Sequence, residues 1–284
     1  MLFCLVVLLL HISTSSYEYS RYNLEWNGTS IFFNSAISAG AGEIRESAQL
    51  TGKERSILLI IAPEGTFTGE EIADIFEFIA RGNIVVLADE SGSGNSLLEG
   101  LESEIRIIPA NITSIDRYYD DSSSVIAYPS SRDPLNAGTD SLILNRPAYV
   151  RGGQPVFSTS ILTWIDGNGN GRIDEMEELG IYSIISREDI GNGILYVLAD
   201  PSIFINGMHS REIGDRNQPF IDIFLQNDSF SLLLEQGRSR TATADAHVRG
   251  IIFVKSSSLL KILLFTVIGA IASLIVWKRY MGVT

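Results

Sequence analysis

The sequence predicts an α/β fold with a mostly parallel sheet, helices on both faces, β-rich insertions and one transmembrane helix near the C-terminus. Three observations predict it: two apolar runs flank an amphipathic stretch, the middle of the chain carries only short apolar pieces, and a long apolar run lies near its end. The chain has 284 residues, of which 45% are hydrophobic. A domain of this size can bury its core without disulfides or a structural metal.

A strand–helix–strand unit opens the predicted sheet. The apolar run 56–62 stops at Pro63 and is typical of a strand that is buried on both faces. Thr68 can cap a helix whose apolar residues repeat at helical spacing, and Gly82 supplies its C-terminal stop. The run 83–89 predicts a second buried strand.

The next segment extends this unit along the chain. A Gly-rich turn at 91–94 leads into an amphipathic stretch at 95–101, and residues 105–108 predict a third strand. Strands that alternate with helices in this way are typical of the beginning of a Rossmann-like sheet. We therefore expect the carboxyl ends of these strands to share one edge of the sheet.

The middle and the end of the domain are less regular. Residues 111–160 are broken by Pro, Ser, Asp and Gly, and their short apolar pieces at 141–144 and 148–150 predict antiparallel excursions. The run 193–200 returns to the earlier pattern of an apolar strand that ends in Asp, and residues 219–225 predict the beginning of a last helix.

The N-terminal end predicts export. Residues 2–10 form an unbroken apolar run, followed by a small polar stretch, so residues 1–16 are interpreted as a signal peptide. No Lys or Arg precedes the run, which leaves a mis-assigned start site or an uncleaved anchor as alternatives. We then expect an extracytoplasmic domain at 17–236, followed by a juxtamembrane linker at 237–258.

The C-terminal end predicts an anchor in the cell membrane. Residues 259–277 contain one charge, Lys261, and are long enough to cross a bilayer as a helix if that lysine reaches the interface. Trp277 begins an aromatic and basic flank, which predicts a cytoplasmic tail at 278–284. A buried core helix is the alternative, but residues 265–276 show no polar face.

Charge and cysteine content exclude several function classes. The formal net charge is −13, so the summed field repels phosphate backbones, and we expect no nucleic-acid partner. The single cysteine is Cys4, inside the predicted signal peptide. The mature domain therefore has no disulfide and no thiol nucleophile.

One segment satisfies every position of the EF-hand calcium-loop pattern. It covers residues 166–177, with Gly171 at the sharp turn and Ile173 expected to point inward. The predicted calcium ligands are Asp166, Asn168, Asn170, Arg172 through its carbonyl, Asp174 and Glu177. We expect a structural calcium site of modest affinity. The alternative is a surface turn without metal.

Acidic residues follow several of the predicted strands. Glu64, Asp89, Glu90 and Asp200 lie near strand ends, so this rim should suit a cation, an amine or a basic partner surface. The turn at 91–94 could instead hold a phosphate at a helix N-terminus. Because the full Gly-x-Gly-x-x-Gly pattern is missing, a tight turn with Asn95 as helix cap is the favoured interpretation.

Nucleophilic catalysis has little support in the sequence. The mature chain offers only His209 and His247, and it lacks the Gly-x-Ser-x-Gly elbow of the hydrolases. A Ser-His-Asp triad is recognised by geometry, and the spacing of these residues singles out no serine.

Several further segments, taken in their order along the chain, are similar to segments of a known protein family. They are Tyr22–Ser30, Pro63 with Glu64, Gly82, 89–95, 200–206, Asp215 with Asn217, and 245–247. In this order they resemble an uncharacterised family of membrane-tethered archaeal and bacterial proteins whose outer domain is similar to class I glutamine amidotransferases. That fold normally carries a nucleophilic cysteine at a strand–helix elbow, which this chain lacks. The resemblance therefore implies a fold and not glutaminase chemistry.

The sequence leads to two functional hypotheses. The first is a noncatalytic domain that binds a ligand or an envelope or membrane protein as part of a cell-envelope assembly. The candidate binding residues are Glu64, Asp89, Gly92, Gly94, Asn95, Asp200, Asn206, Asn217 and His247. The second is an envelope hydrolase that uses Asp89, Asp200 or His247.

Overall fold

The structure is a computed structural model that describes residues 15–209, 211–243, 253 and 256–280, without the side chains of 211–215, 279 and 280. Its helices are α1 (Ser30–Ser38), α2 (Gly69–Ala80), α3 (Asn95–Gly100), α4 (Arg211–Leu225) and α5 (Ser258–Tyr280), and residues 240–243 are also helical. Short 3-10 helices cover Ser47–Leu50, Pro134–Asn136, Pro201–Phe204 and Asn206–His209. Residues 1–14 of the predicted signal peptide and His247 lie outside the described residues.

Most of the strands form one large sheet. They are β1 (Gly42–Ile44), β2 (Ser56–Ile61), β3 (Ile84–Ala88), β4 (Arg106–Ile108), β5 (Ile112–Ser114), β6 (Ile126–Pro129), β7 (Leu142–Ile143), β8 (Tyr149–Arg151), β9 (Gln154–Thr159), β10 (Thr163–Ile165), β11 (Ser183–Ile190), β12 (Gly193–Leu198) and β13 (Ser231–Glu235). Within the described ranges the sheet order is β1-β13-β2-β3-β12-β11-β9-β6-β7, with β8 beside β11 and β4 beside β8. Strands β5 and β10 form a separate antiparallel pair.

The large sheet has a parallel half and an antiparallel half. Strands β1, β13, β2, β3 and β12 pair in parallel. From β12 outward, β11, β9, β6 and β7 pair in antiparallel fashion. The predicted mostly parallel sheet therefore describes one half of a mixed α/β fold. The antiparallel excursions predicted at 141–144 and 148–150 are confirmed as β7 and β8.

The predicted strand–helix–strand unit is confirmed as β2, α2 and β3. The Thr68 hydroxyl accepts a hydrogen bond from the Glu71 N–H at 3.3 Å, while the Glu71 carboxylate accepts one from the Thr68 N–H at 2.7 Å. This reciprocal cap satisfies two of the free donors at the helix N-terminus. Gly82 follows the helix with a φ of +93°, a left-handed conformation that side chains disfavour.

The third predicted strand lies elsewhere. β4 pairs in antiparallel fashion with β8 and does not extend the parallel run. Strand β3 has β2 on one side and β12 on the other, so both of its edges are already paired. A strand that follows β3 and α3 must therefore pair with another part of the sheet.

Helices cover both faces of the sheet, as predicted. Ile57, Leu59 and Ile61 of β2 belong to a core cluster that includes α1 and α4, whereas Leu58 and Ile60 belong to a second cluster with α2 and α3. Successive side chains of a strand point to opposite faces, so one apolar run supplies both cores. Each such buried side chain stabilises the fold by about 1.5–3 kcal/mol relative to exposure.

The last helix of the domain begins earlier than predicted. The sequence suggested a beginning at Pro219, but α4 starts at Arg211 and contains this proline. Phe220, Ile221 and Phe224 are buried against the sheet. Their burial offsets the hydrogen bond that proline cannot donate inside a helix.

Helix α5 could span a membrane. Residues Ser258–Lys278 have a mean hydropathy of 2.6 over their most apolar window, and no part of that window is buried. A run of this length and polarity is what a hydrocarbon core requires. It covers the predicted transmembrane segment at 259–277.

Candidate functional site

A pocket of about 300 Å³ opens at the carboxyl ends of β2 and β3. Its lining comprises Tyr19, Ala62, Pro63, Glu64, Gly65, Asp89, Glu90, Ser91, Ser93 and Arg240. The segments after β2 and β3 form its floor, and Tyr19 and Arg240 come from opposite ends of the domain. Open sheets commonly bind ligands outside the carboxyl ends of their strands. We call this cavity the rim pocket.

A hydrogen-bonded pair of acidic groups lies in the rim pocket. The Tyr19 hydroxyl donates to Oε1 of Glu90 at 2.8 Å. Burial raises the pKa of Glu90 to about 7, and the charges of Asp200, Glu18 and Asp89 act in the same direction, against the hydrogen bond from Tyr19. Burial and the same acidic surroundings also raise the pKa of Tyr19. Glu90 therefore exchanges its proton near neutral pH.

Tyr19 is held in a strained backbone conformation. Its φ is +57°, which is rare for a bulky residue. The Tyr19 N–H donates to the carbonyl of Asn27 at 2.9 Å, and the Thr29 hydroxyl donates to the carbonyl of Tyr19 at 2.8 Å. Such strain costs on the order of 1–3 kcal/mol and persists only where surrounding contacts enforce it, often at functional sites.

Asp89 shapes the turn that follows β3. Its Oδ1 accepts hydrogen bonds from the N–H and the hydroxyl of Ser91 at 2.8 and 2.7 Å, and its Oδ2 accepts one from the Gly94 N–H at 2.8 Å. Gly92 has a φ of +83°, and a Cβ on Gly94 would approach the Leu87 side chain to 2.8 Å. A carboxylate therefore already takes the Gly94 amide that a bound phosphate would need.

Asn95 is not the helix cap that the sequence suggested. It is the first residue of α3, and Gly94 occupies the cap position. The Asn95 amide nitrogen donates to the carbonyl of Ile107 at 2.8 Å, and its oxygen accepts from the Ile107 N–H at 2.9 Å. A carboxamide carries both a donor and an acceptor, so it pairs with the backbone of β4 as a neighbouring strand would.

Asp200 is fully buried and does not line the rim pocket. Its Oδ1 accepts hydrogen bonds from the N–H and hydroxyl of Ser202, and its Oδ2 accepts one from the Asn145 N–H at 2.7 Å. Burial raises the pKa of Asp200 to about 6, although these hydrogen bonds oppose the shift. Asp200 contributes to the rim pocket through its charge and is absent from the residues that line it.

Two other predicted binding residues join distant segments. Asn206 donates to the carbonyl of Glu25 at 2.7 Å and accepts from the Ile31 N–H at 2.9 Å, which ties the segment before α1 to the end of the domain. Asn217 of α4 donates to the carbonyl of Ile143 at 3.0 Å and accepts from its N–H at 2.9 Å. Neither side chain lines the rim pocket.

The structure thus brings Glu64 and Asp89 of the predicted set together in one pocket. Sequence reasoning missed Tyr19 and Arg240 as lining residues and did not include Glu90 in its candidate set. Glu90 could have been included because it directly follows Asp89 at a strand end. Tyr19 and Arg240 lie far from the sheet motifs along the chain, and their sequence neighbourhoods carry no signal for a site. His209 is partly buried outside the pocket lining, and burial lowers its pKa.

The loop at 166–177 folds around the carboxylate of Asp166. This side chain is buried, its Oδ1 accepts from the Gly169 N–H at 2.7 Å, and its Oδ2 accepts from the Gly171 N–H at 2.8 Å. The Glu177 carboxylate returns to the beginning of the loop and accepts from the Gly167 N–H at 2.8 Å. The loop is therefore closed by its first and last acidic residues.

The amides of the loop converge on one carboxylate oxygen. The amide nitrogens of Asn168 and Asn170 donate to Oδ2 of Asp174 at 2.6 and 2.9 Å. No group of three His, Cys, Asp or Glu side chains within the described ranges is arranged to hold a metal ion. Ile173 is 43% exposed, so its predicted inward orientation is wrong. A turn at 175–176 and irregular residues at 177–179 stand where a paired EF-hand would have its second helix.

Fold and site define an acidic, mixed α/β domain followed by one helix that could span a membrane. The chain belongs to the family described as Domain of unknown function (DUF4350), whose model matches residues 21–218. Tyr19 and Arg240 of the rim pocket lie outside the matched range. No curated protein matches the chain.

Solved structures resemble the chain only weakly. The mmIFT52 N-terminal domain is 16% identical with a TM-score of 0.45, and the match covers 66% of this chain and 83% of that one. An exo-β-1,4-mannosidase from Opitutaceae bacterium strain TAV5 is 10% identical with a TM-score of 0.30, covering 60% and 25% of the two chains. A β-galactosidase from Bacillus circulans sp. alkalophilus is 10% identical with a TM-score of 0.32, covering 66% and 27%. These values support no functional argument.

Proposed function

We propose that this protein is a membrane-anchored, extracytoplasmic binding domain of a cell-envelope assembly and that its rim pocket takes a cationic amine or guanidinium group. The observation that carries the proposal is the convergence of carboxylates on one cavity. Glu64, Asp89 and Glu90 line it, and the charges of Glu18 and Asp200 act on Glu90. Among the residues that the structure describes, Arg240 is the one cationic side chain in the lining. The pocket therefore attracts positive charge.

The state of Glu90 supports a cationic ligand. Its raised pKa shows that the anionic form is disfavoured by burial and by neighbouring negative charge. A cation bound beside Glu90 would stabilise that anionic form, so binding releases a proton near neutral pH. The cation can belong to a small molecule or to a basic side chain of an envelope or membrane protein, because both present the same chemistry.

A calorimetric titration of the full chain in detergent tests the proposal. Agmatine, which carries a guanidinium and an amine, should bind, and succinate should not. Glu64→Gln and Glu90→Gln should each weaken agmatine binding about tenfold, which corresponds to the loss of one charge-assisted contact. Asp120→Asn is the matched control, because the Asp120 side chain is fully exposed and, within the described residues, forms its ion pair with Arg117.

The two sources of the cation are separated by a second measurement. A photoreactive group introduced at Ser93, which lines the pocket, should cross-link a membrane or envelope protein in intact cells if a partner supplies the cation. Agmatine binding without a cross-linked protein favours a small ligand. Absence of binding in calorimetry together with absence of cross-linking would contradict the proposed function.

A hydrolase remains the second candidate, on one specific observation. Glu90 has a pKa near 7 in a pocket, a value that suits a general acid or base at neutral pH. Asp89 is less suited because three hydrogen bonds hold its carboxylate. Turnover in a hydrolase panel that Glu90→Gln abolishes would favour this candidate over simple binding.

The loop at 166–177 is proposed to bind calcium as a structural clip. Asn168, Asn170 and Asp174 already meet at one point, and rotation of the two carboxamides would present their oxygens there. Asp174 and Glu177 would supply carboxylate oxygens, and Arg172 its carbonyl.

We also propose that the fold is Rossmann-like and similar to that of class I glutamine amidotransferases. The parallel half of the sheet supports this assignment.

Terbium luminescence of the full chain tests the calcium site. Buried Trp164 lies two residues before Asp166 and is placed to sensitise a bound lanthanide. We expect calcium to displace terbium with a dissociation constant of about 10⁻⁴–10⁻³ M. Glu177→Gln should weaken this binding at least about tenfold, and Asp120→Asn should not. No displacement at millimolar calcium would contradict the site.

A further inference from the structure

The chain continues past β13 into an ordered segment that crosses the rim. Residues 237–243, which we call the strap, follow the last strand of the domain and precede α5. The Glu64 N–H donates to the carbonyl of Arg238 at 2.7 Å, and Pro63 and Ser239 form an antiparallel bridge. Thr241 is buried and accepts from the Arg21 N–H at 3.1 Å. The first part of the predicted linker is therefore docked on the domain.

Charged groups reinforce the docked strap. Arg238 donates through Nε to Oε1 of Glu71 at 2.7 Å. Arg240 pairs through Nη1 with Glu18 at 3.1 Å, and the Thr243 hydroxyl donates to Glu64 at 2.7 Å. The strap thus uses two carboxylates around the rim pocket, Glu18 and Glu64, as its attachment points.

Arg240 occupies the position that an incoming cation would take. Its guanidinium lies 5.5 Å from the centre of the Tyr19 ring and lines the rim pocket. Its Nε is buried 3.4 Å from Oε1 of Glu64, an ion-pair distance without a hydrogen bond to any described residue. A buried donor that lacks a hydrogen bond is held at a cost, so a better-placed cation can replace it.

We propose that Arg240 is a built-in occupant of the rim pocket and that binding of an external amine or guanidinium displaces it and releases the strap. This inference rests on the proposed binding function of the same pocket. Two cations that compete for Glu64 and Glu18 exclude one another, so ligand binding and strap docking are linked reciprocally. Partly exposed ion pairs stabilise weakly, which keeps the docked state reversible.

Release changes how the domain is tied to the membrane helix. Fully extended residues span at most about 3.3–3.6 Å each, so the released strap, residues 237–243, can reach at most about 25 Å from β13. Ligand binding in the rim pocket would thereby allow the domain to move more freely relative to the bilayer. This coupling uses no change within the sheet, only the loss of contacts between the strap and the rim.

Hydrogen exchange of the full chain in nanodiscs tests the strap. The amides of Glu64 and Arg21 donate to strap atoms, so their exchange reports docking, whereas the Ala148 amide donates to the carbonyl of Ala199, makes no bond to the strap and serves as reference. Saturating agmatine should speed exchange at Glu64 and Arg21 about tenfold or more and leave Ala148 unchanged. Binding of agmatine without this change would overturn the inference and leave the binding function standing.

Variants of Arg240 test the competition. Arg240→Ala should show fast exchange at Glu64 and Arg21 without ligand, and it should bind agmatine several-fold more tightly, because the internal competitor is gone. Arg117→Ala, at an exposed ion pair with Asp120, should change neither quantity. Unchanged protection in Arg240→Ala, with a wild-type circular dichroism spectrum, would overturn the strap. Failure of agmatine to bind wild type and Arg240→Ala alike would overturn the binding function itself.

Discussion

Buried and half-buried asparagines act as backbone partners at several points of this fold. Asn95 pairs with Ile107, Asn217 pairs with Ile143, and Asn83 accepts from the Ser56 N–H at 2.9 Å. In each case the carboxamide satisfies backbone groups that lack a strand neighbour at that point. An unpaired buried backbone group costs as much as a lost hydrogen bond, which explains why these polar side chains are tolerated in the core.

Replacing Asn217 tests this role. Asn217→Ala leaves the N–H and the carbonyl of Ile143 without their present partner. We expect the free energy of unfolding to fall by about 1–3 kcal/mol for each backbone group that is left without a hydrogen bond. Urea unfolding of the full chain in detergent measures this change. Asn192→Ala, at an exposed position, is the matched control and should change it by less than about 0.5 kcal/mol. Equal effects would contradict the backbone role.

Glu235 is a buried carboxylate beneath the strap. Its Oε1 accepts from the N–H groups of Gly237 and Arg238 at 2.6 and 2.8 Å, while its Oε2 is buried without a hydrogen bond from any described residue. Burial raises the pKa of Glu235 from 4.5 to about 7, against these two hydrogen bonds. The folded state therefore favours the neutral acid below pH 7.

The sign of the pH dependence follows from this raised pKa. The contribution of Glu235 to stability is fully present below its unfolded pKa of 4.5 and is lost as the pH rises through 7. Glu235→Gln should therefore reduce the loss of unfolding free energy between pH 5 and pH 8 by about 2 kcal/mol. Urea unfolding at both pH values measures it, with Glu99→Gln as the exposed control. An unchanged difference would show that Glu235 is ionised without cost.

At the scale of elements, the cap of α2 and the strap share one side chain. Glu71 closes the capping box with Thr68 and also pairs with Arg238. Burial acts against ionisation, yet the hydrogen bonds from Arg238 and Thr68 lower the pKa of Glu71 to about 2. The helix N-terminus is thus connected to the segment that leads toward α5.

This connection gives a prediction for the cap. Thr68→Ala removes the hydroxyl that accepts from the Glu71 N–H, so the free energy of unfolding should fall by about 1 kcal/mol. The same variant should raise amide exchange of strap residues, because Glu71 loses the contact that orients it toward Arg238. Thr51→Ala, at an exposed position, controls for the substitution itself. A loss of stability without faster amide exchange in the strap would contradict the proposed link between the cap of α2 and the docking of the strap.

The two halves of the sheet also differ at this scale. In the parallel half, apolar residues on both faces of β2 and β3 make these strands recognisable from sequence. In the antiparallel half, β6 and β7 are only four and two residues long. Their pairing depends on partners that lie far along the chain, so their order could not be predicted.

For the whole molecule, the proposed topology places the domain outside and the tail at 278–284 inside. Helix α5 has the length and hydropathy for a span, and no residue of its most apolar window is buried. Protease added to intact cells should digest the domain at 17–236 and leave a C-terminal epitope tag protected. Alkaline carbonate should fail to extract the chain from membranes. A protected domain, or full-length chain free in the cytosol, would contradict this topology.

The sequence by itself determined the local features of this protein. The periodicity of 56–89 predicted β2, α2 and β3, Thr68 and Gly82 marked the ends of α2, and the apolar run at 259–277 predicted a span. These features depend on residues that are close along the chain, so a local pattern contains them in full. The acidic character of the strand ends was predictable for the same reason.

The tertiary structure decided which polar groups meet. Tyr19 and Arg240 come from opposite ends of the domain and reach Glu90 and Glu64 only after the sheet has formed. From the sequence, Asn95, Asn206 and Asn217 could not be distinguished from asparagines that bind a ligand. Their hydrogen bonds to backbone atoms in the structure give them a role in holding the fold together. Contacts between residues far apart in sequence depend on chain topology, and no local pattern in the sequence encodes them.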